Sequence, residues 1–232
     1  MSDALVVFSG GQDSTTCLYW ARERFSSVLA VTFDYGQRHR RELDSAKNIA
    51  KLAGVRHETI DVGPIFAGLS PLTDQTLDVQ SFAPDAPLPG GLADTFVPGR
   101  NILFLTIAAN RAYVAGCDSL VIGVAQQDYG GYPDCREDFI CKMESAVSSG
   151  LDRHVKILAP LMDLTKAESV ALAKSLPGCM EALALSTTCY NGAFPPCGTC
   201  HSCILRQRGF NEAGVVDPLL ALAGVGINSR NL

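Results

Sequence analysis

No apolar run in the sequence is long enough to cross a bilayer. The longest, such as Ile102 to Ala109, falls far short of the roughly 20 residues a spanning helix needs. Positive charge is also scarce: 19 Lys and Arg stand against 24 Asp and Glu, a net charge of -5. That balance argues against a broad surface for a phosphate backbone, and so against direct nucleic-acid contact. It leaves room for a small anion held by a few placed charges. Met1-Ser2-Asp3 has no basic flank and leads directly into a strand-like run, so no signal peptide is expected. The expectation is a soluble, cytoplasmic chain with no membrane partner. Its nine cysteines are then reduced thiols or metal ligands rather than disulfides. Two common phosphate motifs are missing as well. No Gly-Lys-[Ser/Thr] closes a Walker A loop, and Gly224-Val-Gly226 has no strand and helix around it.

Apolar residues make up 47% of the 232, ample for a sizeable core. Ala4–Phe8, Ser27–Phe33, Val55–Val62, Ser119–Val124 and Lys156–Leu161 read as strands. Helical spacing runs from Asp13 to Arg24, Glu42 to Ala53 and Glu137 to Ser149, and a capping box at Thr165-Lys-Ala-Glu168 opens another helix to about Ser175. Arg100 to Ala115 is so apolar that a helix buried all round is expected. Strand–helix alternation predicts an α/β fold with a doubly wound, mostly parallel sheet. Regular periodicity weakens after Cys179. The division expected is an α/β domain over 1–178 and a C-terminal cysteine region over 179–232. Between Pro71 and Thr95 the chain has four prolines and no Lys or Arg, which reads as a long surface loop or lid.

Ser9-Gly10-Gly11-Gln12-Asp13-Ser14 joins the first strand to the first helix. Two glycines let the backbone turn and approach a ligand, and the helix start offers unpaired N–H groups and a positive dipole end. A pyrophosphate cradle is the functional reading. The plain alternative is a tight turn with Ser14 or Asp13 as helix cap.

Near the C-terminus, Cys189, Cys197, Cys200 and Cys203 follow the pattern C-x7-C-x2-C-x2-C. Two overlapping C-x2-C steps let three thiolates converge, and four sulfurs form the closed set of a structural zinc site. His201 lies between two better-placed sulfurs, and Cys179 is a fallback fourth ligand. Cys17, Cys117, Cys135 and Cys141 are expected to be structural.

Three further segments carry polar groups, two of them beyond strand ends, where α/β sheets bind ligands. Phe33-Asp34-Tyr35-Gly36-Gln37-Arg38-His39 could meet adenine and phosphate, or be a basic helix start facing solvent. Thr95-Phe96-Val97-Pro98-Gly99-Arg100-Asn101 sets Arg100 and Asn101 at a helix start, either to hold an anion or to face solvent. Gly131-Tyr132-Pro133-Asp134-Cys135-Arg136 offers stacking on Tyr132, a carboxylate for ring N–H donors and a guanidinium for an acid, or is a polar turn. Lys166 at the capping-box helix reaches a phosphate or is simply solvated.

Ser-Gly-Gly-x-Asp-Ser after a first strand resembles the PP-loop ATP pyrophosphatases, of the adenine nucleotide alpha hydrolase-like fold. More closely, the chain resembles the 7-cyano-7-deazaguanine synthase (QueC) family along almost its whole length. The segments that carry the resemblance are Phe8-Ser-Gly-Gly-Gln-Asp-Ser-Thr-Thr-Cys-Leu18, Thr32-Phe-Asp-Tyr-Gly-Gln-Arg-His39, Thr95-Phe-Val-Pro-Gly-Arg-Asn-Ile-Leu-Phe104, Gly131-Tyr-Pro-Asp-Cys-Arg136, Pro160-Leu-Met162 with Lys166, and Thr188-Cys-Tyr-Asn-Gly192 with the later cysteines.

The resemblance implies ATP binding by Phe8, Ser9, Gly10, Gly11, Gln12, Asp13, Ser14, Thr15, Thr16, Cys17 and Leu18, helped by Arg38, Arg100, Asn101 and Lys166. It implies substrate binding by Tyr132, Asp134 and Arg136, Mg²⁺ placed with the help of Asp13, and Zn²⁺ on the four cysteines. The reaction implied takes 7-carboxy-7-deazaguanine, ammonia and ATP to the nitrile on the way to queuosine, and a homodimer is plausible for the family. One departure stands out: Gly123-Val-Ala-Gln-Gln-Asp128 carries Gln126 and Gln127 where the family pattern has a carboxylate mid-run.

Overall fold

The computed structural model describes residues 3–66, 68, 70–83, 86, 94–125 and 132–224. Gln126, Gln127, Asp128, Gly131 and most of 84–93 lie outside the described residues. Five parallel strands form one sheet: β1 (Asp3–Val7), β2 (Ser27–Asp34), β3 (Arg56–Asp61), β4 (Ser119–Ile122) and β5 (Lys156–Leu158), in the order β3-β2-β1-β4-β5. The helices are α1 (Gln12–Arg22), α2 (Arg41–Ala53), α3 (Arg100–Ala115), α4 (Glu137–Leu151), α5 (Lys166–Ser175), α6 (Cys179–Leu183), α7 (His201–Glu212) and α8 (Pro218–Leu222). The doubly wound parallel α/β architecture expected from the sequence is present.

Side-chain alternation on the central strands explains the layering. Ala4, Val6 and Val121 join one buried cluster with Cys17 and Leu18 of α1, Ile49 and Ala50 of α2, Val170 of α5, Leu183 of α6 and Phe210 of α7. Leu5, Val31, Leu120 and Ile122 face the other way, onto Phe104, Leu105 and Ala108 of α3 and Ile140 of α4. Strands covered on both faces must be apolar throughout, which is why β1 and β4 read as unbroken runs. Burying one such Leu stabilises the fold by about 1.5–3 kcal/mol.

Several sequence expectations are corrected. α3 has its expected bounds but not burial all round: Ile102 is 50% and Val114 67% exposed, while Phe104, Leu105, Ala108 and Ala112 face the sheet. It lies in an outer layer, so only one face can be covered. Strands β4 and β5 end earlier than expected, at Ile122 and Leu158; after β4 the chain turns into the wall of the cavity described below. α7 occupies a stretch where the sequence shows no regular period. Cys141, expected to be structural, lies exposed on α4. No described helix is long and apolar enough to cross a membrane.

Strand order reverses between β1 and β4, where Val7 pairs with Ile122. Helices leave the sheet in opposite directions there, and the crevice beyond the strand ends is where such sheets bind ligands.

Candidate active site

A cavity of about 470 Å³ opens at this reversal. Its wall includes Phe8, Ser9, Gly11, Gln12, Asp13 and Ser14 from the loop after β1. The loop is held from within: the Ser9 N–H donates to Ser14 Oγ at 3.2 Å, the Gly11 N–H donates to Ser9 Oγ at 3.3 Å, and Ser14 Oγ donates to the Gly11 carbonyl at 3.2 Å. Neither Ser14 nor Asp13 caps α1; Gly11 is the cap position, with no side-chain bond. The first N–H groups of α1 are therefore left to a ligand, and the dipole favours an anion.

Close packing fixes the loop from both sides. Gly10 has φ +82°, and a Cβ there would lie 2.6 Å from the Ala46 nitrogen and 2.7 Å from the Glu42 carbonyl oxygen of α2. At the end of β4, a Cβ on Gly123 would lie 2.9 Å from the Ser14 nitrogen. Only glycine permits these approaches. The Thr187 N–H also donates to the Gly10 carbonyl at 3.0 Å, tying the cysteine-bearing region to the loop.

Lys166 reaches the cavity from the first position of α5. Its Nζ donates to Asp13 Oδ1 at 3.1 Å and Oδ2 at 2.9 Å. The predicted capping box forms: Thr165 Oγ1 accepts from the Glu168 N–H, and Glu168 accepts from the Thr165 N–H. A cation at a helix start is repelled by the dipole, and the Asp13 carboxylate offsets that.

The turn after β2 is locked by fully buried Gln37. Its carboxamide accepts from the Tyr35 N–H at 2.9 Å and donates to Glu42 Oε1 at 2.8 Å. Glu42 in turn pairs with His39 Nε2 at 3.2 Å, and both line the cavity. Arg38 does not. Its guanidinium turns under the 70–77 segment and donates to the carbonyls of Asp74 and Leu77.

Arg100, Asn101, Tyr132, Cys135 and Arg136 also line the cavity. Arg100 hydrogen-bonds Tyr35, whose phenol burial pushes up to about 12. Among the described residues no carboxylate pairs with Arg100. Tyr132 Oη lies 2.6 Å from Thr95 Oγ1, and its ring lies against Phe96. Asp134 is placed elsewhere: it is buried at the start of α3, accepting from the Asn101 N–H at 3.2 Å. Of the expected ATP-binding set, Thr15, Thr16, Cys17 and Leu18 are buried in α1 behind the loop. The Thr16 hydroxyl bonds the Gln12 carbonyl, and burial raises the Cys17 thiol well above its ordinary value.

The remaining wall includes His39, Tyr190 and His201, from segments the sequence pointed to, and Glu42, Thr187 and Arg206, which it did not single out. His39 Nδ1 and His201 Nε2 are buried with no hydrogen-bond partner among the described residues. Buried polar atoms are rarely left so, and two in one cavity wall point to a bound polar molecule.

Cys189, Cys197, Cys200 and Cys203 bring their sulfurs within 4.8 Å of one another. Hydrogen bonds from the Cys200 and Cys203 thiols lower the Cys189 thiol from its ordinary range. Four converging sulfurs on a closed, mostly buried site suit a tetrahedral soft ion. Cys179 takes no part; it is buried under α1 beside Thr16. Nor does His201 belong to the set.

Fold and site together define an α/β protein of the ATP-using PP-loop class with a four-cysteine cluster that could hold a metal ion. The chain belongs to the QueC family: the family model described as queuosine biosynthesis protein QueC matches residues 3–214. It is 54% identical to the 7-cyano-7-deazaguanine synthase of Laribacter hongkongensis, over 96% of both chains. Identity to the protein of that name from Chromobacterium violaceum is 56%, over 94% of this chain and 92% of the other. For Gloeobacter violaceus the figures are 51%, 94% and 96%.

Proposed function

We propose that this chain is a 7-cyano-7-deazaguanine synthase, converting 7-carboxy-7-deazaguanine, ammonia and ATP to the nitrile with release of AMP and pyrophosphate. The observation that carries the reading is the joining, in one cavity, of an uncapped α1 start, the Asp13–Lys166 pair and Arg100, which pairs with no carboxylate among the described residues.

A carboxylate is a poor electrophile. In the proposed sequence its oxygen attacks the α-phosphate of ATP, the bond to the β-phosphate oxygen breaks, and pyrophosphate leaves into the Ser9–Ser14 cradle. Ammonia then displaces AMP to give the amide. A second ATP activates the amide oxygen, and loss of AMP with the amide protons leaves the nitrile. Positioning and charge stabilisation account for most of such catalysis. The α1 N–H groups and Lys166 meet the phosphates. Arg100 meets the substrate carboxylate or the α-phosphate, and Tyr132 offers a stacking face for the heterocycle.

Mg²⁺, held by Asp13 and the phosphates, would neutralise charge on the leaving pyrophosphate. Zn²⁺ is assigned to the four cysteines. With no open position, it holds structure and takes no step in the reaction. Free small molecules, rather than tRNA, are the assigned substrates, consistent with the net charge of -5.

Purified protein incubated with ATP, Mg²⁺, ammonium and 7-carboxy-7-deazaguanine should release AMP and yield the nitrile mass. A Ser9→Ala/Asp13→Ala variant should do neither. AMP without nitrile would move the substrate elsewhere; folded, metal-loaded protein that releases no AMP would overturn the reading.

A further inference from the structure

We infer that Gly209 is a positioning residue for the reaction: its missing side chain is the seat in which Lys166 lies as it reaches Asp13. Gly209 sits inside α7 with ordinary helical dihedrals, so the backbone does not require glycine there. A glycine in a helix interior costs about 1 kcal/mol relative to Ala. What requires it is space. A Cβ at position 209 would lie 2.4 Å from Lys166 Cγ, 3.0 Å from Lys166 Cβ and 3.2 Å from the Lys166 carbonyl carbon. These atoms are the root of the lysine, not its free end, so the side chain cannot swing clear without moving its Nζ. Either α7 withdraws from α5 or the lysine leaves Asp13.

Lys166 stands at the first position of α5, where the dipole repels it, and its side chain is only 12% exposed. The surface of α7 lies under its stem and the Asp13 carboxylate meets its tip. α7 is also the helix that carries Cys203 and begins directly after Cys200. The contact thus links the cysteine cluster to the ammonium group at the pyrophosphate loop. This inference rests on the proposed role of Lys166 at the phosphates.

Two measurements on Gly209→Ala test it. The first is the rate at which Lys166 is acetylated by trace acetic anhydride in the metal-loaded protein without substrates, read by peptide mass spectrometry. The variant should label Lys166 severalfold faster than the parent chain, with other lysines unchanged; equal labelling overturns the inference. The second is a double-mutant cycle on kcat/KM for ATP. Misplacing a group by about 1 Å can cost about 10²-fold, so Gly209→Ala should lose about 10- to 100-fold. Lys166→Ala removes the 2.4 Å contact and leaves those at 3.0 and 3.2 Å, which a shift of a few tenths of an ångström relieves, so Gly209→Ala/Lys166→Ala should lose little more than Lys166→Ala alone. Losses that multiply overturn the inference. If Gly209→Ala does not fold, Gly209→Ala combined with Lys166→Gly, which also removes the Cβ contact, decides: recovered folding supports the lysine contact, and failure overturns it. A parent chain that makes no AMP sinks the proposed function, yet the labelling still reads the seat of Lys166.

Discussion

Arg206 and Asp217 form a bidentate ion pair inside the protein, Nε to Oδ2 at 2.7 Å and Nη2 to Oδ1 at 2.8 Å, with both side chains buried. The guanidinium also donates to Ser186 Oγ at 2.7 Å, Thr188 Oγ1 at 2.9 Å and the Leu183 carbonyl at 3.2 Å. One side chain thus fastens α7 to α6, to the segment before Cys189 and to the cap of α8. Breaking such a pair strands a buried charge and costs about 3–5 kcal/mol. Arg206→Ala and Asp217→Ala should each lower the unfolding free energy by that amount, and the double variant should cost less than their sum. Urea denaturation reads all three; single losses below about 1 kcal/mol would show that the pair is solvated.

Gly10 and Gly54 make a matched pair of tests. Both have positive φ, +82° and +66°, so Ala at either pays backbone strain of about 1–2 kcal/mol. Only Gly10 is also crowded, with the Ala46 nitrogen 2.6 Å from a Cβ; nothing lies within 4 Å at Gly54. Gly10→Ala should push the loop off α2 and weaken ATP binding more than tenfold, by calorimetric titration. Gly54→Ala should lose stability and keep its ATP affinity. Equal affinities in the two variants would mean that the loop's seat on α2 does not shape the nucleotide site.

The uneven legibility of the sequence has physical causes. β1 and β4 are buried on both faces, so the apolar runs at Ala4–Val7 and Ser119–Ile122 announce them. The Ser9–Ser14 loop is legible because its chemistry is backbone geometry, which glycines encode locally. α7 hides because its buried face carries His201, Ser202 and Arg206, whose partners come from distant segments and leave no apolar period. Arg38 and Asp134 sit in the expected segments yet bond carbonyls at Asp74 and Leu77 and the Asn101 N–H instead. A short motif gives a residue's place in the chain, but its side chain's direction depends on segments that arrive from elsewhere. Glu42 shows the converse: a residue with no sequence signal becomes cavity wall because Gln37 and His39 hold it there.

Glu58 supplies a pH test. Arg111 of α3 donates to its Oε2 from Nη2 at 2.6 Å and Nε at 3.2 Å, which holds the carboxyl below its ordinary value. A carboxyl depressed by folding contributes stability that is complete above its unfolded pKa. That contribution is lost as pH falls through the folded value. Arg111→Met should therefore lower the melting temperature at neutral pH and flatten its fall below about pH 4.3, the ordinary glutamate value. The side chains are partly exposed and the pair is surface-like, so the change should be small and should shrink in high salt. An acid limb as steep in the variant as in the parent chain would assign it to other carboxyls.

The cysteine cluster should govern a segment remote from it in sequence. Val79 packs among Cys189, Cys200 and Cys203; Ser81 bridges Cys200; and the Phe82 N–H donates to the Thr199 carbonyl at 2.8 Å. These contacts fasten the 79–82 stretch of the proline-rich segment to the turn that carries the sulfurs. Without an ion, four crowded thiols have no common centre to hold that turn, and the Ser81–Cys200 bridge lies outside the sheet. Stripping the metal with a strong chelator, or replacing Cys197 with Ser, should speed amide exchange at 81–83, read by deuterium uptake. β1 and β2 should stay protected, since their hydrogen bonds lie in a core the cluster does not reach. Metal analysis of the same samples should fall from one ion per chain to none. Metal loss with unchanged uptake at 81–83 would show that the thiols and their hydrogen bonds suffice to hold the segment.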